Sequence, residues 1–183
     1  MRKVSKIILS ILGVFIVLLA YFCGVFFLSF KTKYKDIVFA SANQFDVLPS
    51  LIFAVLKAES KFNQNAKSRA NAIGLMQIKL STANYMLSIE NQDEITETEL
   101  FDPKTNINLG AKYLSYLINK FEDFEVSICA YNAGETVVGE WLKNSEYSKD
   151  GKTLNQIPYK ETREYLQKVL FNQKVYKNFF KFD

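Results

Sequence analysis

The chain has 183 residues, of which 23 are basic, 19 acidic and none histidine, giving a formal net charge of +4. With 49% hydrophobic residues it can build one domain with a real core, but it is too short for two domains plus a membrane segment. The missing histidine removes Ser-His-Asp and Cys-His triads and most zinc sites, and setting aside Arg2, Lys3 and Lys6 leaves 20 basic residues against 19 acidic ones, no electrostatic footprint for nucleic acid.

A short basic segment, residues 1–6, is followed by an uncharged run, residues 7–30. At 1.5 Å per helical residue this run reaches roughly 36 Å, enough for a hydrocarbon core of roughly 30 Å, so a transmembrane helix is predicted. A cleaved signal peptide has a shorter apolar core, about 7–15 residues, ending in small residues. Here Tyr21, Phe22, Phe26 and Phe27 occupy those places, which favours an uncleaved anchor. Phe22 before Cys23 is also too bulky for a lipoprotein site. Basic residues flank both ends of the run (Arg2, Lys3, Lys6; Lys31, Lys33, Lys35), so the positive-inside rule does not orient it. The connector, residues 31–35, extends at most roughly 15–18 Å and keeps the following domain, residues 36–183, close to the bilayer.

That domain reads as mainly helical, with no convincing strands. A first helix over Asp36 to Phe45 is expected to turn Ile37, Ala40 and Phe45 inward. The next opens at Pro49, which suits a first helical turn because its missing N–H costs nothing there. Ile52, Val55, Leu56, Glu59 and Phe62 follow at three- and four-residue intervals, placing four apolar side chains and one carboxyl on a single face. Asn63 to Asn71 has no periodicity and reads as a loop. Ser81-Thr82 offers a helix start running through Tyr85, Met86 and Ile89, before an acidic connection from Asn91 to Glu99.

Asp102-Pro103 is the clearest start signal, a cap residue and then proline at the first helical position. Ile107, Gly110, Leu114, Leu117, Ile118 and Phe121 then keep helical spacing for about five turns. Helices over Glu125 to Asn132 and Val137 to Leu142 follow, with Gly134 as a cap between them. Asn144 to Asn155 reads as a mobile surface loop, and Glu161 to Phe180 as a long final helix. Cys129 falls inside a helix and Cys23 in the apolar run, so no disulfide between them is expected.

Glu59 is the candidate general acid. A carboxyl among hydrocarbon side chains loses hydration, which disfavours its charged form and raises its pKa toward the range where it can donate a proton at neutral pH. An acid near a helix end is more often solvated or salt-bridged, so Glu59 alone does not establish a site.

The order Glu59-Ser60, Ser68, Gly74-Leu75-Met76-Gln77-Ile78, Ala130-Tyr131-Asn132-Ala133-Gly134 and Ile157-Pro158-Tyr159-Lys160-Glu161-Thr162 resembles the soluble lytic transglycosylase family over about residues 36–172. The resemblance implies a goose-lysozyme-like catalytic domain acting on peptidoglycan glycan strands outside the cell, with no cofactor and no metal. It implies that Glu59 protonates the bond between N-acetylmuramic acid and N-acetylglucosamine. The substrate's acetamido group then supports the anomeric carbon, and Glu59 takes a proton from the 6-hydroxyl to close a 1,6-anhydro ring. Ordinary glycosidases need two carboxyl groups about 5–9.5 Å apart; substrate assistance lets one suffice.

By match to the family's motifs, Ser68, Met76, Gln77, Tyr131, Asn132, Glu161 and Tyr165 are the expected substrate-binding residues. Each has a plainer reading: Ser68 as a cap of local backbone, Met76 as core filling, Tyr131 as a buried tyrosine with a satisfied hydroxyl, Glu161 as a first-turn acid favoured by the helix dipole. The chain departs from the family at Asn71, where glycine is common and left-handed backbone is still tolerated. It departs again at Lys79-Leu80, where Met-Pro is usual, and at Cys129, expected to be buried filler. A hydrolytic muramidase on the same scaffold and an inactive wall-binding module are the alternatives.

Overall fold

A computed structural model describes the backbone of residues 2–183 and the side chains of residues 11–183. The side chains of the expected basic segment, Arg2, Lys3 and Lys6 among them, lie outside the described residues. The chain divides into two units, Met1–Thr32 and Lys33–Asp183. The first is one helix, α1 (Arg2–Leu28), which stops two residues short of the expected limit at 30. Within it Ile11–Leu28 has a mean hydropathy of 2.8 and no buried residue, so it is long and apolar enough to cross a membrane.

The second unit holds α2 (Lys35–Phe45), α3 (Pro49–Glu59), β1 (Ala72–Ile73), β2 (Ile78–Lys79), α4 (Leu80–Ser88), α5 (Glu97–Leu100), α6 (Pro103–Phe121), α7 (Phe124–Ala133), α8 (Glu135–Lys143) and α9 (Lys160–Phe180). The start signals act as their chemistry requires. Pro49 and Pro103 sit in first turns, Asp102 accepts from the Thr105 N–H at 2.9 Å, and Asp123 accepts from the Val126 N–H at 2.8 Å. Each carboxylate satisfies a donor that the helix leaves without an internal partner.

The core is built around α3. Leu51 through Leu56 are at most 1% exposed, so this helix is buried on all sides rather than on the single face its spacing suggested. Its main neighbour is α9, whose Tyr176 stacks on Phe53 with ring centroids 5.1 Å apart. The Asn172 amide of α9 donates to the Ala54 carbonyl at 3.4 Å. Elsewhere in the unit α6 packs against α2 and α7 and buries Ile107, Leu114 and Leu117 completely.

Five expectations need correction. α2 buries Val38, Ser41 and Ala42 instead of Ile37, Ala40 and Phe45, a rotation of the inward face by about one residue; Ala40 is exposed. Phe62 is not on the α3 face: the helix ends at Glu59, and Phe62 returns to the core through left-handed backbone at φ 66°. Residues 72–79 form an antiparallel hairpin in which Ala72 pairs with Lys79 and Ile73 with Ile78; strands of two residues are too short to show alternation. The acidic connection contains α5, opened by a capping box in which Thr96 and Glu99 satisfy each other's backbone N–H. The loop at 144–155 is internally braced: Asp150 accepts from the N–H groups of Lys152 and Thr153 at 2.8 and 2.7 Å, and Ser148 is buried.

Candidate active site

Asn106 anchors the hairpin that forms one wall of the site. It lies fully buried in the first turn of α6, donating from Nδ2 to the carbonyls of Ile73 and Leu100, both at 2.9 Å, and accepting at Oδ1 from the Met76 N–H at 2.8 Å. These three bonds fasten the hairpin turn to the helix, and a buried amide left without them would cost about 1–3 kcal/mol per unmade bond. Gly74 runs directly over Asn106 with φ 75°, and a Cβ there would overlap the amide. Glycine is needed both for the left-handed backbone and for the close approach. Ser60, the residue after Glu59, donates from Oγ to the Leu75 carbonyl at 2.8 Å, joining the same turn to the end of α3.

Held in this way, the hairpin and the helix ends enclose a groove of about 770 Å³, within the usual size range of ligand sites. Glu59, Ser68, Gln77, Tyr131, Asn132 and Glu161 all line it. Ser68 closes the Ser68–Ala72 turn, its Oγ accepting from the Ala72 N–H at 3.0 Å, so its hydroxyl proton remains available to the groove. The Gln77 amide donates to the carbonyls of Gly74 and Ala66 at 2.9 and 3.2 Å and holds its own backbone at φ 49°. Asn132 accepts from the Thr162 hydroxyl at 2.8 Å, linking α7 to α9. Asn71 adopts φ 59°, the conformation for which its side chain is suited.

Two expected contacts are placed differently. The Met76 side chain is fully buried and fills the space opposite Gly110, where a Cβ would collide with its sulfur; only its main chain serves the groove. Tyr165 is 7% exposed and lies behind Glu59, not on the groove wall. Its hydroxyl faces the Glu59 carboxyl closely enough to favour the ionised form, yet the two do not reach hydrogen-bond geometry and the hydroxyl has no other partner among the described residues.

Glu59 ends α3 and lines this groove. Burial raises its pKa to about 7, opposed by the Tyr165 hydroxyl and the Lys168 ammonium and reinforced weakly by Glu161. Desolvation dominates because few charges stand close enough to repay the lost hydration. Tyr131 packs beside it, its ring 5.4 Å from Tyr113 and its hydroxyl donating to the Met76 carbonyl at 2.9 Å. Burial, then the Glu59 charge and then Tyr113, hold the Tyr131 phenol far above its ordinary pKa, so it stays a neutral donor. The arrangement presents one protonatable carboxyl, able to give and to take back a proton near neutral pH.

Three contributors escaped the sequence reading. Asn106 could have been noticed as a polar residue inside an apolar helical stripe. Lys168 falls three residues after Tyr165 on the same face of α9; its ammonium donates to the Ala58 carbonyl at 2.6 Å, capping α3 while its charge acts on Glu59. Tyr113 is one of many tyrosines in the chain, and nothing local distinguishes it.

The family described as the transglycosylase SLT domain matches residues 36–155. The soluble lytic murein transglycosylase of Escherichia coli is 36% identical over 155 residues, covering 82% of this chain and 24% of that protein. The membrane-bound lytic murein transglycosylase C of Edwardsiella ictaluri is 33% identical over 171 residues, covering 79% of this chain and 46% of that protein. Among solved structures, the 70 kDa soluble lytic transglycosylase from Escherichia coli superposes with a TM-score of 0.72 at 31% identity, over 82% of this chain and 25% of that one. The chain thus spans about a quarter of the length of the soluble relatives and under half of the membrane-bound one.

Proposed function

This chain belongs to the transglycosylase SLT family, and from that premise we propose that it is a lytic transglycosylase of peptidoglycan. In this reading residues 7–30 anchor it in the cell membrane as a single span, with residues 36–183 forming the catalytic domain on the extracytoplasmic side. The observation that carries the reading is Glu59, a carboxyl with a pKa raised to about 7 by burial, lining a groove of about 770 Å³.

The protonated Glu59 carboxyl gives its proton to the glycosidic oxygen as the bond to C1 of N-acetylmuramic acid breaks. The acetamido oxygen of that sugar shares the positive charge at C1, and a hydrogen bond from the Ser68 hydroxyl orients the group for this. The Glu59 carboxylate, now beside the Tyr165 hydroxyl and the Lys168 charge, takes the proton of the 6-hydroxyl. The oxygen bonds to C1, closing the 1,6-anhydro ring with no water consumed and Glu59 restored. Tyr131 offers a ring face to the sugar, and Gln77, Asn132 and Glu161 offer polar contacts along the wall.

Digestion of purified sacculi tests this. Anhydro-muropeptides, lighter than the hydrolysis products by one water, are expected from the wild-type chain and none from Glu59→Gln. Reducing-end products would identify a muramidase, and undiminished lysis by Glu59→Gln would remove Glu59 from the chemistry.

A further inference from the structure

The hairpin and the turn before it bring two cations to the groove that no step of the proposed reaction employs. Arg69 sits in the Ser68–Asn71 turn, closed by the Asn71 N–H donating to the Ser68 carbonyl at 3.1 Å. Lys79 stands on β2 opposite Ala72. Both side chains are exposed and both line the cavity that contains Glu59. Their neighbour Lys67 is neutralised by Glu97, whereas Arg69 and Lys79 have no carboxylate partner among the described residues. The carboxyls of the groove come from the helices instead, Glu59 from α3 and Glu161 from α9. A general acid must be protonated to act, so in the reactive state Arg69 and Lys79 face only the charge of Glu161.

The amino-sugar rings of the glycan are uncharged and give this excess nothing to bind. The anionic groups of the substrate hang from the lactyl ether of the muramyl sugar, on the peptide stem. Arginine meets a carboxylate through two parallel N–H bonds and lysine as a mobile point charge. We propose, resting on the reading given above, that Arg69 and Lys79 form a receptor for the free carboxylates of the peptide stem, so that strands with ionised stems are selected over strands whose stems are amidated. Exposed ion pairs are individually weak, so the two together should favour the ionised stem by about three- to tenfold in affinity.

The test uses the full-length Glu59→Gln protein, whose binding is read without turnover, and three glycan strands of equal length. One carries stems with free carboxylates, one carries amidated stems, and one has had its stems removed, leaving only the lactyl carboxylate. The free-carboxylate strand should bind about three- to tenfold more tightly than either other strand at low salt, and the advantage should shrink as salt screens it. Adding Arg69→Gln and Lys79→Gln together should bring the ratio to about one. Equal affinity for free and amidated stems overturns the proposal, as does a ratio that survives the double change. A stripped strand binding as tightly as the free-carboxylate strand overturns it too, since the lactyl group would then be what is read. Failure of the catalytic reading has a different signature: normal discrimination in binding, with no anhydro product from the wild-type chain.

Discussion

The Tyr131 hydroxyl donates a 2.9 Å hydrogen bond to the main-chain carbonyl of Met76, joining α7 to the hairpin turn across 55 residues of sequence. The bond keeps two walls of the groove in register around Glu59 and sets the tyrosine ring at a 42° tilt to that of Tyr113. Tyr131→Phe keeps the ring and removes only this tie. It should cost about 1–2 kcal/mol of stability through the unpaired carbonyl and lower kcat/KM on sacculi about tenfold through loss of positioning. Thermal melts beside product assays check it; full activity with an unchanged melt would mean the tie is idle.

Glu59→Gln should abolish lysis and also stabilise the fold at neutral and alkaline pH. The folded-state pKa of about 7 lies above the ordinary value of 4.5, so the native state holds its proton more tightly than the unfolded chain. The resulting stability is present below pH 4.5 and lost as pH rises through 7. Above pH 7 the wild type carries a penalty of about 3 kcal/mol that glutamine does not. Denaturant midpoints at pH 4 and pH 8 should therefore converge at the first and separate at the second.

Activity should be held below pH 7 and fall tenfold per pH unit above it, as the acid loses its proton. Lys168 and the Tyr165 hydroxyl both pull the Glu59 pKa down. Lys168→Met and Tyr165→Phe should each move the alkaline limb of kcat/KM to higher pH. A limb that stays in place in both variants would assign it to another group.

Gly110→Ala should destabilise by about 1–3 kcal/mol, because the added methyl meets the Met76 sulfur in a filled space. Adding Met76→Ala to it makes room for that methyl and should recover part of the loss. Additive costs in the double variant would show that the two side chains do not compete.

Asn106→Leu preserves volume but breaks three buried hydrogen bonds. A loss of about 3 kcal/mol or more is expected, with lysis falling further than stability alone explains because the hairpin wall loosens. Amide exchange at Ile73 and Met76 measures that loosening directly.

Most of what was legible in the sequence is local. The helix starts at Pro49 and Asp102-Pro103 are first-turn chemistry completed within a few residues, the apolar run is a matter of length and hydropathy, and Glu59 stood out as a carboxyl in an apolar pattern. Tertiary packing decided the rest. The hairpin exists because Asn106 and Ser60 grip its turn from distant helices, and no property of residues 72–79 alone reveals those partners. Met76 and Gln77 are adjacent, yet one side chain is buried against Gly110 and the other lines the groove, a division made by which face α6 occupies. The pKa of Glu59 depends on how completely α9 covers the end of α3 and on where it sets Tyr165 and Lys168. Such long-range placement follows from close packing of whole helices, which spacing along the chain does not encode.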